Sequence, residues 1–295
     1  MHSKIPINAF LSLILAMLIW GSSFIALKAT LNDTRPYTVI FLRMFFASLF
    51  FILFIKKFLQ YKFTKRDIKL LLLLSLFEPS LYFMFEVNAL RFTSASQAGI
   101  IASTMPIITA IFAGILLKEL ITRKLILGSL LSMIGVVILS TNANTTSHAT
   151  NPLLGNLLEL GAMTCGAAYT IIAKKLSSKF SALFITASQA FIGSVFFLPF
   201  FLYEYIQYGF HSSYSSMLWI VYLGIVVTLG GYGLYNFALS KIDASRAAIF
   251  INLIPIFSVI LGYLVLQEKL NSIQILASLL IIIGVIMSEY KRKYI

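Results

Sequence analysis

Cysteine is almost absent from this chain: among 295 residues there is one, Cys165, and the three histidines are His2, His148 and His211. An internal disulfide framework is therefore excluded, and no Cys/His cluster is available to hold a metal. Charge is scarce as well, at 11% of residues against 59% hydrophobic, and the acidic share is smallest, 10 Asp and Glu against 23 Lys and Arg. A soluble domain needs more polar surface than this. Also missing is any Gly-x-x-x-x-Gly-Lys-Ser/Thr phosphate loop, because the one glycine-dense run, Gly-Gly-Tyr-Gly at 230–233, lies inside an apolar stretch. ATP-driven work, a cofactor, a metal and enzyme chemistry are all outside expectation.

What is present is apolar length. A membrane-spanning helix needs about 20 mostly apolar residues, and ten segments meet that template: 8–30, 36–56, 68–90, 95–117, 122–141, 153–173, 181–203, 216–239, 245–266 and 271–289. The expected fold class is an all-α membrane protein. The first segment has the look of a signal peptide, but nine more spans come after it, and it is expected to be retained. A net charge of +13 would suggest nucleic acid in a soluble protein. Here its placement gives another answer. With the N-terminus inside, most basic residues fall on inner segments, among them Lys56, Lys57, Lys62, Lys65, Arg66 and Lys69. The positive-inside rule then puts both termini in the cytoplasm, with the basic residues orienting the chain and touching anionic lipid rather than nucleic acid.

The stretch from Ala89, "ALRFTSASQAGIIASTMP", aligns without a gap on the stretch from Ala238, "ALSKIDASRAAIFINLIP", and the match runs on for two spans. Pro106 pairs with Pro255, Glu119 with Glu268 and Gly135 with Gly284. Residues 1–141 and 153–289 thus form two five-span halves, joined by an outer linker at 142–152 and ending in a tail at 290–295. Five is odd. The second half must enter the membrane inverted, a design that recurs in secondary transporters whose halves exchange inward-open and outward-open forms around a central cavity.

The motifs "WGSSFIALK" at 20–28, "PYTVIFLR" ending at Arg43, the two repeated stretches, "KEL" at Glu119 and "QEK" at Glu268 resemble the drug/metabolite transporter superfamily, in its EamA-type ten-span form. That resemblance covers essentially the whole chain. It implies ten helices as two inverted five-helix halves around a central cavity, and movement or export of amino acids, metabolites or drugs.

Within the third span Glu78, Tyr82 and Glu86 stand at i, i+4 and i+8, a stripe about 80° wide and about 12 Å long on an ideal helix. An ionised carboxylate at mid-depth costs on the order of 2.5–3.5 kcal/mol, so that face should look into the bundle. By depth, Arg43 matches Glu86 and Glu159, and a structural ion pair to one of them is expected. Glu78 has no cation at its height, so it must be protonated, hydrogen-bonded, in a wet cavity or bound to a cationic ligand; it is the candidate for a substrate cation or a coupling proton, with Pro79 letting the helix bend beside it. In the repeat register Glu78 faces Val227, Tyr82 faces Gly231 and Glu86 faces Tyr235, so the carboxylates belong to one half alone. The eighth span offers Tyr232, Tyr235 and Asn236, and Trp20, Ser23, Tyr169 and Asn252 are weaker candidates. Pro106 and Pro255 are expected mid-helix, as packed kinks or as bends beside a cavity. Glu119 and Glu268, each three residues before Thr122 or Asn271, are expected to stabilise their own turns.

The function expected from these features is secondary transport of a small metabolite, an amino acid or amine-like solute or a drug, by alternating access and in the export direction. The setting is a bacterial plasma (inner) membrane. Partners are the solute, the lipid bilayer and a possible coupling proton; oligomeric state is not specified. The alternative is an uncoupled facilitator or channel of the same fold.

Overall fold

The structure, a computed structural model, describes residues 5–31, 33–92, 101–141, 151–266 and 272–289. Glu268, Asn271, most of the 142–152 linker and the tail from 290 lie outside the described residues. All regular structure among the described residues is helical. In chain order the helices longer than one turn are α1 (Ile7–Thr30), α2 (Pro36–Ile52), α3 (Lys65–Ser75), α4 (Tyr82–Phe92), α5 (Met105–Leu116), α6 (Arg123–Thr141), α7 (Pro152–Leu176), α8 (Ala182–Tyr208), α9 (Tyr214–Tyr222), α10 (Gly233–Leu239), α11 (Ala244–Ala248), α12 (Ile254–Leu266) and α13 (Ser272–Glu289), with a single helical turn at Ile55–Phe58 after α2. Two long helical segments, α3 with α4 and α9 with α10, are each widened midway: at Leu76–Leu81, where Glu78 leaves the helical region and the two helices meet across a kink, and at Leu223–Tyr232, a π-type turn. Both of these, with α1 and α8, are long and apolar enough to cross a membrane. The outer flanks carry exposed Leu53, Ile115, Val195 and Ile206, a surface that only lipid would cover at low cost.

The helices begin where short polar side chains supply an acceptor for otherwise unpaired amides. Thr64 and Asp67 cap α3 reciprocally, while Asn151, Ser181 and Ser213 cap α7, α8 and α9. Proline marks starts as well, at Pro36 and Pro152. The same logic corrects the expectation for Pro106, which is the second residue of α5 and not a mid-helix kink. A helix's first turn needs no N–H there, so the ring is accommodated without losing a hydrogen bond. Pro255 keeps the mid-helix place expected of it, just past the 3-10 turn Ile249–Leu253 in a helical run continuous from Ala244 to Leu266.

Two carboxylates tie distant helices together at opposite ends of the bundle. Glu119 does not hold its own turn, as the sequence suggested. Its carboxylate accepts from the amides of Ala244 and Ser245, at 2.7 and 3.0 Å, and from the Ser245 hydroxyl at 2.6 Å, capping α11. Thr122 does cap α6, accepting from the Leu125 amide at 3.1 Å. Lys174 of α7 clamps the other side of that corner, its Nζ donating to the carbonyls of Leu239 and Ile242 at 2.8 and 2.7 Å. At the far end Glu204 accepts from the amide and hydroxyl of Thr38, at 2.8 and 2.9 Å, at the start of α2. The run from 204 had the look of a loop, yet α8 continues to Tyr208 and buries Glu204.

The tightest crossing joins α6 to α13. A Cβ at Gly128 would lie 2.5 Å from the Gly284 carbonyl oxygen, and one at Gly284 would lie 2.6 Å from the Ser132 nitrogen. Backbone meets backbone there, the small-residue packing typical of helices in lipid.

Candidate functional site

A cavity of about 350 Å³ opens among α1, α2, the two widened segments, α5, α7 and the 249–254 region. It runs from Leu31 and Pro36, at one end of the bundle, down to Tyr169 and Tyr235. Of the candidates from the sequence, Trp20, Ser23, Arg43, Glu78, Tyr82, Glu86, Tyr169, Tyr232 and Tyr235 all line it.

Glu78 reaches the cavity by a route that helical phase did not foresee. Its backbone is extended, φ −145° and ψ 121°, inside the widened turn. The cause is Pro79, because a residue before proline is pushed out of the α region by the pyrrolidine ring. The break leaves the Glu78 carbonyl available, and Gln189 Nε2 donates to it at 3.1 Å. Glu78 as a whole is 6% exposed, and Tyr232 donates its hydroxyl to Oε1 at 2.6 Å. On the α4 side of the break, Tyr82 donates to Glu86 Oε1 at 3.2 Å. The expected trio therefore shares one cavity, although the helix between its first two members is interrupted.

The facing wall is aromatic. Trp20 packs edge-on to Tyr232 with ring centroids 5.1 Å apart and lies 5.2 Å from Tyr235, and Tyr169 stacks near Tyr235 at 6.4 Å. Gly231 makes room for the indole, since a Cβ there would lie 2.5 Å from Trp20 Nε1. Ser23 turns its hydroxyl back to the Trp20 carbonyl at 2.7 Å.

The ion pair expected of Arg43 is not formed. Neither Glu86 nor Glu159 stands in salt-bridge contact with it; instead its Nε donates to the Thr228 hydroxyl at 2.8 Å and its guanidinium lies over the Phe83 ring, 5.0 Å from the centroid. Depth along two helices fixes height but not rotation, and the rotation of α2 aims Arg43 at the eighth segment. Glu159 is 3% exposed in α7, outside the cavity lining, and its Oε2 has no hydrogen-bond partner among the described residues.

Two further candidates also lie behind the wall. Asn236 is fully buried: its Oδ1 accepts from Tyr169 at 2.8 Å and its Nδ2 donates to Thr186 at 3.0 Å and to Gln189 at 3.3 Å. Asn252 donates to Ser132 Oγ at 2.6 Å, joining the 249–253 turn to α6. Gln189, Thr228 and Phe83 were missed. The first two were legible only as isolated polar groups in apolar spans, and Phe83 carried no signal. The arrangement sets rings and carboxyls around one open space, and no group of His, Cys, Asp and Glu fit to hold a metal is found among the described residues.

The model of the EamA-like transporter family matches residues 7–141 and again 153–290. The transporter YetK of Bacillus subtilis, named as uncharacterized, is 29% identical, with 98% of this chain and 89% of that protein covered. The similarly named YcxC of the same organism is 30% identical over 98% and 94%. A protein of Escherichia coli K12 named a probable amino-acid metabolite efflux pump is 24% identical over 94% and 93%. Among solved structures, one crystal structure superposes with a TM-score of 0.79 at 17% identity, covering 95% of this chain and 97% of that one, a likeness of fold alone.

Proposed function

The chain belongs to the EamA-like transporter family, and from that premise we propose that it is a secondary transporter moving a small amphipathic solute, amino acid or amine-like, by alternating access around the cavity that holds Glu78. The observation that carries this reading is the pairing in one cavity of about 350 Å³ of a buried carboxylate with a wall of tyrosine and tryptophan rings. Rings and carboxylate together suit an organic ammonium, which gains from both the ring quadrupole and the charge. Ten spans arranged as two inverted halves, split at the 142–152 linker, are the scaffold we assign to it; the sequence repeat and the doubled family match support that arrangement. The basic segments support cytoplasmic termini in a bacterial plasma membrane. Export is favoured by the name of the Escherichia coli relative.

In this reading the cavity as found communicates with the end bearing Leu31 and Pro36, the outer side by charge placement. At the opposite end the Glu119 cap and the Lys174 clamp join the helices, and we assign the closed gate to that corner. Gradients drive the exchange of states.

Substitution of Glu78 by Gln tests the proposal in vesicles reconstituted with purified protein. The expected result is loss of saturable uptake and of counterflow, by a factor of about 100 or more on the scale of about 3 kcal/mol for a charged contact, with unchanged yield of folded protein. Full counterflow in the variant at several pH values would remove Glu78 from the mechanism. Conduction without saturation or counterflow in the parent protein would replace the transporter by a facilitator.

A further inference from the structure

The cavity has a second pole. Arg43 is 8% exposed, which in a membrane interior is a costly place for a permanent cation. A buried cation of this kind ordinarily sits in contact with a carboxylate, yet among the described residues the one hydrogen bond of Arg43 is from Nε to Thr228. The side chain is nonetheless firmly placed. Phe83 lies under the guanidinium plane, and Thr228 is itself held, donating its hydroxyl to the Leu223 carbonyl at 2.9 Å across the widened turn. Holding Nε fixes the guanidinium and leaves the Nη1/Nη2 edge without a hydrogen bond among the described residues, in a side chain that lines the cavity. That edge presents two parallel N–H donors, the fork that matches a carboxylate bidentately.

Glu78 and Glu86 share the cavity and act on Arg43 electrostatically without reaching contact distance. Positive and negative groups are thus kept apart, with aromatic and aliphatic surface from Val39, Ile40, Tyr82 and Tyr232 around them. A cavity built for an amine alone gains nothing from an anchored guanidinium. One built for a zwitterion needs it.

We infer that Arg43 is an anion subsite: it takes the carboxylate of an apolar zwitterionic solute whose ammonium group lies toward Glu78, and so sets the preference for amino acids over the corresponding amines. This rests on the transporter reading above. It adds to that reading a specificity-determining residue, positioned by Thr228, and a requirement that the solute carry a carboxylate.

The test uses purified full-length protein and matched probes: leucine, isopentylamine and leucinamide, with phenylalanine, phenethylamine and phenylalaninamide as a second set. Dissociation constants are read from ligand-induced thermal shifts. Either amino acid should bind about tenfold to a hundredfold more tightly than its amine and its amide. In Arg43→Gln that preference should fall to near unity while amine affinity is kept or raised, and Arg43→Lys should restore part of it. Thr228→Val, which leaves the arginine in place but unanchored, should reduce the preference several-fold and serves if Arg43→Gln does not fold. Equal binding of amino acid and amine by the parent protein, an undiminished preference in Arg43→Gln or Thr228→Val, or no binding of any probe would overturn the inference. Vesicle transport abolished by Glu78→Gln would still uphold the transporter reading in each of those cases.

Discussion

The widened turns at Leu76–Leu81 and Leu223–Tyr232 fall at matching positions of the sequence repeat and are built by opposite means. In the first, proline does the work. Pro79 forces Glu78 into an extended backbone and turns its side chain and carbonyl to separate partners. In the second, where the repeat register sets Thr228 opposite Pro79, no residue needs to leave the helical region: Thr228 bonds back to Leu223, and Gly231 admits Trp20. A π-type turn inserts an extra residue into the helix and redirects the turns beyond it, a device frequent at functional sites. Only the second segment uses it; the first breaks the helix at Glu78 instead, so the position recurs while the backbone and the side chains diverge. One copy supplies a carboxylate, and the other supplies the tyrosine that hydrogen-bonds it and the threonine that anchors Arg43.

Adding one methyl group near each turn tests that division. The larger effect is expected from Gly231→Ala, because the new Cβ would stand 2.5 Å from Trp20 Nε1 and 2.8 Å from Cδ1, both on a rigid ring. Displacing the indole disturbs Tyr232 and Tyr235 together, and overpacking of this kind costs about 1–3 kcal/mol. Counterflow should fall at least about tenfold, with a lowered thermal midpoint. Gly193→Ala presses on the other turn, its Cβ 2.7 Å from Pro79 Cγ but 3.3 Å from Met44, which is unbranched and yields. A stability loss of about 1 kcal/mol with a smaller transport defect is expected. If Gly193→Ala is the more damaging to transport, the proline-built turn is the less tolerant of the two, and the assignment of the aromatic wall to the eighth segment weakens.

The smallest effect should come from a site remote from both turns. Asp67, in the capping box of α3, is held down to about 2, first by the hydrogen bond from Lys179 and then by those from the Thr64 amide and hydroxyl. Its folded value lies below the ordinary one, so its contribution is fully present above about pH 4 and fades as pH falls toward about 2. Asp67→Asn should therefore lower the thermal midpoint slightly at neutral pH and match the parent protein near pH 2. Transport at neutral pH should not change. An exposed pair contributes little, and a large neutral-pH loss would give Asp67 a role beyond capping.

Much of this architecture is legible in the sequence because a bilayer permits so few solutions. Long apolar runs become helices, and polar atoms stranded in them, such as Glu78, Tyr82 and Glu86, turn inward. What the sequence left open is rotation about each helix axis. Depth alone paired Arg43 with Glu86 or Glu159, whereas the observed rotation gives it Thr228 and Phe83. The same gap hid Asn236 and Asn252 behind the cavity wall, since a polar group in an apolar span is equally at home bonding a neighbouring helix. Helix ends were the other weak point. Pro106 sat within an unbroken apolar run, so its place at a helix start became visible only with the turn before it, and Glu204 lay beyond the apolar run although its helix did not end.

The crossing of α6 and α13 bears on how the protein is made. Gly128 and Gly284 meet only after everything from α7 to α12 has been synthesised between them. At ordinary synthesis rates that interval is on the order of ten seconds. Throughout it, the small-residue seam of α6 has acyl chains for company instead of the helix that fits it. The Gly128 side of that seam finds the backbone that fits it only when α13 arrives.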